Sequence, residues 1–372
     1  MSTKKEAQPN KQIILTGGGT AGHVMVNLAL IPLLKEDGYT IDYIGSKEGI
    51  ERELIEPQKD VTYHAVHTGK LRRYLSIENF KDPFKVMKGV SEAARIIRKK
   101  RPQIIFSKGG FVSVPVLLAA RLTRTPAIIH ESDLTPGLAN KIAMPFAKRI
   151  LVTFAATLEH VDQKKARFIG PVVRPELFAG DKASGLEFLR FKKDKPVLLV
   201  MGGSAGSKTI NDLIRNHLDD LTRYFQVVHL TGKGHLDETI RRESYRQFEY
   251  VDKELKDILH AADVVISRAG ANAIFECLAL KKPMLLIPLS KKVSRGDQLL
   301  NAHVFEKQGY AHVLDEDTLT SEGFLTAFDA FISDTDHIRE MMQHFNAEDA
   351  IQAVLEEIHH YEKPSKSKSS QL

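Results

Sequence analysis

Short apolar runs recur along this chain, separated by stretches whose apolar residues return at helical spacing. Lys11–Thr16, Thr40–Ile44, Ile104–Phe106, Ala127–His130 and Arg149–Val152 read as buried strands. Between them, Phe84–Lys99 and Pro115–Thr123 carry the period of amphipathic helices. The second half repeats the style with Val197–Met201, Gln226–Leu230, Phe248–Val251, Val264–Ser267, Met284–Ile287 and Ala311–Val313, then a last helix over Ala347–Tyr361. Strands alternating with helices predict an α/β protein with parallel, doubly wound sheets. Such sheets bind ligands outside the carboxyl ends of their strands.

A chain of 372 residues holds two domains of ordinary size. The break falls at Gly170-Pro171-Val172-Val173-Arg174-Pro175, where two prolines and a glycine stop any helix. The expected division is an N-terminal domain over 11–172 and a C-terminal domain over 173–361, whose last helix is free to pack back on the first. Residues 1–10 and 362–372 read as disordered extensions, the second rich in Lys and Ser. The polar N-terminus lacks the apolar region of a signal peptide, and no run nears the roughly 18 apolar residues of a membrane span. A cytoplasmic protein is the default expectation.

The most specific local signal is a glycine-rich turn that occurs once in each half. Gly17-Gly18-Gly19-Thr20-Ala21-Gly22-His23 follows the first strand, and Gly202-Gly203-Ser204-Ala205-Gly206-Ser207 follows Val197–Met201. A strand, a glycine turn and a helix N-terminus make an anion site, because backbone N–H groups and the helix dipole favour negative charge. Phosphates are the expected guests. Gly17-x-Gly19-x-x-Gly22 formally matches a dinucleotide fingerprint, but Glu48 is a poor candidate for the ribose-binding acid that fingerprint requires. His23 ends the loop; it either accepts a proton near the reacting centre or caps the loop. Ser107–Pro115 is a second glycine turn in the first domain, a phosphate cradle or a tight strand-to-helix connection. Glu276 can favour its helix N-terminus or accept from a ribose diol. Gln298 can cap its helix or read sugar hydroxyls.

Composition narrows the chemistry. The single cysteine, Cys277, sits in an apolar pattern and reads as a buried thiol. There is no His-Glu-x-x-His and no Walker lysine motif, and no metal and no cofactor is expected. Charge is uneven: 27 Lys and Arg stand against 16 Asp and Glu through Val172, and 26 against 31 from Val173 onward. Between Lys70 and Arg101, eleven basic residues face only Glu78, Asp82 and Glu92, with apolar residues interleaved. Such a segment binds an anionic membrane surface, or else is a core helix with a solvated basic side. No nucleic-acid-binding module is present.

Taken together, Gly17–His23, Ser107–Pro115, His130-Glu131-Ser132-Asp133-Leu134-Thr135-Pro136-Gly137-Leu138-Ala139-Asn140, Gly170–Arg174, Gly202–Ser207, Ser267–Glu276 and Asp297–Ala302 resemble the MurG glycosyltransferases of family 28. The resemblance runs from about Lys11 to about His359, and His130-Glu131-Ser132-Asp133 is similar to the version from Gram-positive bacteria. It implies the GT-B fold, with two Rossmann-like domains around a cleft. It implies inverting transfer of N-acetylglucosamine from UDP-N-acetylglucosamine to lipid I, at the cytoplasmic face of the cell membrane. Other cell-wall synthesis proteins are candidate partners, and nucleic acid is not. The donor residues it implies are Thr20, Ala21, Gly22, Arg174, Ser204, Ala271, Asn272, Ala273, Ile274, Phe275, Glu276 and Gln298. It places the acceptor diphosphate at Gly18, Gly19, Gly109 and Gly110, with His23 and Glu131 as candidate bases. Ala21 replaces a usual glycine, Val26 a common proline, and Asp133 an asparagine that many members hold near the donor. Alternatives to this activity are another acceptor for the same donor, epimerisation of the nucleotide sugar, or a non-enzymatic UDP-sugar-binding subunit.

Overall fold

The computed structural model describes residues 11–69, 77–203, 205–345 and 349–362, and side chains are described from residue 84 onward in the helix that begins at Ile77. Both terminal extensions up to Asn10 and from Lys363, the start of the basic segment at 70–76, and Ser204 lie outside the described residues.

The chain forms two compact units, Met1–Val172 with Asp349–Leu372, and Val173–Glu348. The first unit holds β1 (Lys11–Thr16), β2 (Tyr39–Ser46), β3 (Val61–Val66), β4 (Ile104–Ser107), β5 (Ala127–Glu131), β6 (Arg149–Val152) and β7 (Ala166–Phe168). These pair in the order β3-β2-β1-β4-β5-β6-β7, every pair parallel. The second unit holds β8 (Val197–Met201), β9 (Gln226–Leu230), β10 (Tyr245–Phe248), β11 (Val264–Ser267), β12 (Met284–Leu286) and β13 (Ala311–Val313). Their order is β10-β9-β8-β11-β12-β13, again all parallel. Each unit is a Rossmann-like doubly wound sheet, the building block of the GT-B fold.

In both sheets the strand order reverses beside the first strand, between β1 and β4 and between β8 and β11. Register puts the strand ends level there: Thr16 pairs with Ser107, and Met201 with Ser267. The loops that follow therefore emerge side by side over a crevice, the usual ligand position in such sheets. The central strands are buried on both faces. Ile13 and Leu15 enter one core cluster and Ile14 the other. A two-residue period distributes alternate side chains in this way.

The last helix, Ala350–His359, belongs to the first unit. Its Ala350, Ile351, Val354, Leu355 and Ile358 complete the cluster that contains Ile13 and Leu15. Glu357 accepts a two-point bond from Arg149, at 3.0 Å on each oxygen, and a third from Arg167. Glu362, read from composition as the start of the disordered tail, is instead anchored by Lys11 Nζ at 2.9 Å and Tyr39 Oη at 2.8 Å. Three edge strands also differ from the sequence expectation. β3 and β7 had no predicted counterpart, and β10 lies at Tyr245–Phe248 rather than Phe248–Val251. All three are only partly buried, so no continuous apolar run marks them.

Candidate functional site

In the first unit the loops after β1 and β4 lock together through their backbones. Lys108 N donates to Thr16 O at 2.9 Å, and Gly18 N donates to Gly109 O at 3.2 Å. Gly110 has a φ of +82°, and a Cβ there would fall 2.0 Å from Gly18 O, so only glycine fits. Gly19 N donates to Glu51 Oε2 at 3.1 Å. Glu51 lies buried beneath the loop, with Ser46 N and Ser46 Oγ donating to its other oxygen. Burial alone raises its pKa, but bonds from Ser46 and Gly19 hold the carboxyl below its ordinary value, so it is an anion.

Beside Gly110, the residues expected at the acceptor diphosphate are Gly18, Gly19 and Gly109. Their N–H groups are already committed, to Gly109 O, to Glu51 and to Ser107 Oγ respectively. Thr20 and Ala21 follow at the start of the helix Gly22–Glu36, with Thr20 O accepting from His23 N at 3.1 Å and Ala21 O from Val24 N at 2.8 Å. Ala21 has φ −57°, which an alanine adopts without strain.

His23 Nδ1 lies 2.9 Å from Gly18 O and 3.1 Å from Thr20 Oγ1. A carbonyl oxygen only accepts, so in the neutral ring Nδ1 carries the hydrogen and Nε2 the lone pair. Glu131, the other candidate base, is buried and its oxygens hold a turn. Asp133 N donates at 3.0 Å, Gly137 N at 3.0 Å and Asn140 Nδ2 at 2.8 Å. His130 is buried against Thr153 Oγ1, and burial pushes its pKa well below the ordinary value.

In the second unit, Gly202–Ser207 connects β8 to the helix Lys208–Asn216. Ser207 caps that helix, accepting from Ile210 N at 3.2 Å. Behind the loop sits Arg268, just after β11. Its guanidinium donates to Ser207 Oγ at 2.7 Å, Ile287 O at 3.0 Å, Pro288 O at 3.2 Å and Glu316 Oε1 at 2.6 Å. It thereby ties together the connections that follow β8, β11, β12 and β13. The sequence reading assigned Arg268 no role. The available signal was a lone charge straight after a buried strand. Glu51 was missed too, because its acid stands in an exposed-looking helical run.

Arg174 and Glu276, two of the expected donor residues, meet as a two-point ion pair, at 2.8 and 3.2 Å. Burial lowers the pKa of Arg174, but Glu276 more than offsets this and keeps the guanidinium charged. Gln298 Oε1 accepts from Leu289 N at 3.0 Å, which leaves the NH₂ as the donor end of that amide. Ala271–Phe275, expected along the nucleotide, open the helix Ala271–Ala279. Ile274 and Phe275 are buried core side chains, Phe275 packing edge-on to Phe305 with centroids 5.0 Å apart. Of Ala271–Phe275, only Asn272 and Ala273 keep side chains that are partly open. Among the described residues no three His, Cys, Asp or Glu side chains converge to hold a metal ion, and no helix is long and apolar enough to cross a membrane.

Two family models cover most of the chain. Residues 13–152 match the glycosyltransferase family 28 N-terminal domain, and residues 197–355 its C-terminal domain. The chain belongs to glycosyltransferase family 28. A protein of Oceanobacillus iheyensis is 56% identical over 93% of this chain and 97% of its own length. Another, from Geobacillus thermodenitrificans, is 57% identical with the same coverage. Both carry the name UDP-N-acetylglucosamine–N-acetylmuramyl-(pentapeptide) pyrophosphoryl-undecaprenol N-acetylglucosamine transferase. The crystal structure of Acinetobacter baumannii MurG matches 95% of this chain and 100% of its own, with a TM-score of 0.72 at 24% identity, a likeness of fold. This family 28 member is therefore a glycosyltransferase.

Proposed function

We propose that this enzyme transfers N-acetylglucosamine from UDP-N-acetylglucosamine to the 4-hydroxyl of N-acetylmuramyl-pentapeptide-diphosphoryl-undecaprenol (lipid I), with inversion at the anomeric carbon. The observation that carries this is the pair of relatives, each more than half identical over 93% of the chain and each named for that reaction. The first unit takes the acceptor and the second the donor.

Inversion needs one in-line displacement, in which the acceptor hydroxyl loses a proton as it attacks. His23 is favoured over Glu131 as base. Its Nε2 carries the lone pair, whereas the oxygens of Glu131 hold the turn at 133–140. A positioned base contributes about 10²–10⁴-fold. The leaving UDP gathers negative charge, which the loop 202–207 and the N-terminus of Lys208–Asn216 stabilise. Ser204, assigned to the diphosphate by resemblance, lies outside the described residues. Arg174 holds Glu276 in one orientation, and the carboxylate keeps acceptor capacity for a ribose diol. Gln298 offers its NH₂ to the sugar, while Thr20, Ala21 and Gly22 offer the start of their helix.

A lipid-linked acceptor places the enzyme peripherally on the cytoplasmic face of the membrane. Supporting this, Phe84 and Met87 are 79% and 65% exposed on the helix Ile77–Lys100, interleaved with exposed Lys85 and Lys88. The deciding experiment follows UDP release by purified protein with and without lipid I. Release that requires lipid I, with lipid II as product, supports the reading. Release without acceptor, or none with it, refutes it.

A further inference from the structure

Lys108 is a buried charge that the mechanism above leaves unused. Lys108 is 1% exposed, a rare state for lysine. It stands where β4 ends beside β1, at the floor of the first unit's crevice, with its amide on Thr16 O. Its Nζ donates to Ser132 Oγ at 2.8 Å. Burial lowers its pKa, while the carboxylates of Glu131 and Asp133 act in the opposite direction. Its charge also helps keep the neighbouring His130 neutral. The turn after β5 thus brings two acids to a crevice whose backbone loop already rests on the anionic Glu51. Without a counter-charge, that turn repels an anionic guest.

We infer that Lys108 is a positioning residue: its ammonium fixes the Glu131–Asp133 turn and balances its acids, so that the crevice over β1 and β4 accepts a diphosphate-bearing acceptor. The inference rests on the proposed acceptor role of that crevice. It goes further in making Lys108 and Asp133 a coupled pair, in which a neutral amide at 133 relieves the need for the lysine.

The test is steady-state kinetics of the full chain with a short-chain, water-soluble lipid I analogue, using Lys108→Met, Asp133→Asn and the double variant. Lys108→Met is expected to raise the acceptor KM about tenfold and to leave the donor KM within about twofold. The double variant is expected to return the acceptor KM to within about threefold of wild type, as a relieved charge imbalance requires. A lysine that serves only as packing gives a double variant as impaired as Lys108→Met, and that result overturns the inference. If Lys108→Met does not fold, Asp133→Asn alone reads the same balance. The uncompensated lysine then lowers the acceptor KM about threefold at low salt, an effect that fades as salt screens it. An acceptor KM that is unchanged or raised, or a change confined to the donor KM, overturns it. Wild-type protein that fails to turn over the analogue removes the acceptor reading and this inference together. Wild-type turnover without the coupling removes this inference alone.

Discussion

The two glycine turns share a sequence style and a place in their sheets, yet they are built over opposite charges. Beneath the first lies Glu51, which takes the Gly19 amide. Behind the second lies Arg268, which holds the capping hydroxyl Ser207. The first helix has no side-chain cap, with Ala21 at that position, whereas the second is capped by Ser207. The Glu51 carboxylate is held by N–H and O–H donors of Gly19 and Ser46, whereas the Arg268 guanidinium is paired with the Glu316 carboxylate. On the proposed reading the acceptor hydroxyl gives its proton to His23 beside the first loop, and the leaving diphosphate gathers at the second. The lesson is that a glycine-rich turn sets where a ligand can sit, and the side chains packed behind it, with their partners, set how the loop is held.

The largest effect expected from this contrast is at the base. His23→Ala should lower kcat by about 10²–10⁴-fold. UDP binding to the second unit, read by calorimetry, should be unchanged. A kcat within tenfold of wild type would remove His23 from the proton transfer. Next in size is Arg268→Met, which strands Glu316 without its cation at a mostly buried site. Removing one partner of such a pair costs about 3–5 kcal/mol, so the urea midpoint should drop sharply and UDP affinity with it. Adding Glu316→Gln should recover part of the loss. An unshifted midpoint would mean that the backbone alone holds the second loop.

Much of this was legible before the structure. The parallel sheets follow from buried runs such as Ile13–Leu15 and Val197–Val200, which need cover on both faces. The glycine turns and the bond at His23 could be placed because spacing from a strand end fixes them. What sequence could not give was the far side of each loop. Glu51 reaches Gly19 from 32 residues away, and Arg268 reaches Ser207 from 61 residues away. Tertiary pairings at that separation leave no local pattern. The same limit explains the glycine amides: whether an N–H faces ligand or protein depends on a neighbour that only folding supplies. It also explains Ile274 and Phe275, where family resemblance named a segment along the nucleotide and burial shows that two of its side chains serve the core.

Glu51→Gln sharpens the contrast at the first loop. The amide keeps the shape but loses the charge that Gly19 and Ser46 donate to. Hydrogen bonds to a charged group are worth about 1.5–3 kcal/mol, and a stability loss of that order is expected. The carboxyl is held below its ordinary 4.5, so its contribution is complete above that pH and is lost as pH falls through the folded value. The difference between wild type and Glu51→Gln should therefore shrink in acid. A difference that persists unchanged at low pH would show that the charge is not what holds the loop.

The smallest effect separates the props beneath the two loops. Under the first, Asn27 donates to Thr16 O at 3.2 Å, and Tyr43 donates to Gly17 O at 2.6 Å. Under the second, Asn211 donates to Thr231 O at 2.9 Å and is itself braced by His229 at 3.0 Å, which lies 2.9 Å from Tyr245 Oη. Tyr43 stays neutral in acid, but His229 is a group that acid can charge. Burial, with a smaller contribution from Arg215, pushes its pKa down from 6.5 to about 3. The folded protein thus refuses a proton that the unfolded chain accepts. Stability from this source is complete above about 6.5 and declines toward about 3, by roughly 1.4 kcal/mol per pH unit. Urea midpoints of wild type and His229→Gln, measured from pH 7.5 down to pH 5, should converge in acid because the variant lacks that slope. Parallel curves would mean that the ring takes up its proton without disturbing Asn211, and that the second loop is no more acid-sensitive than the first.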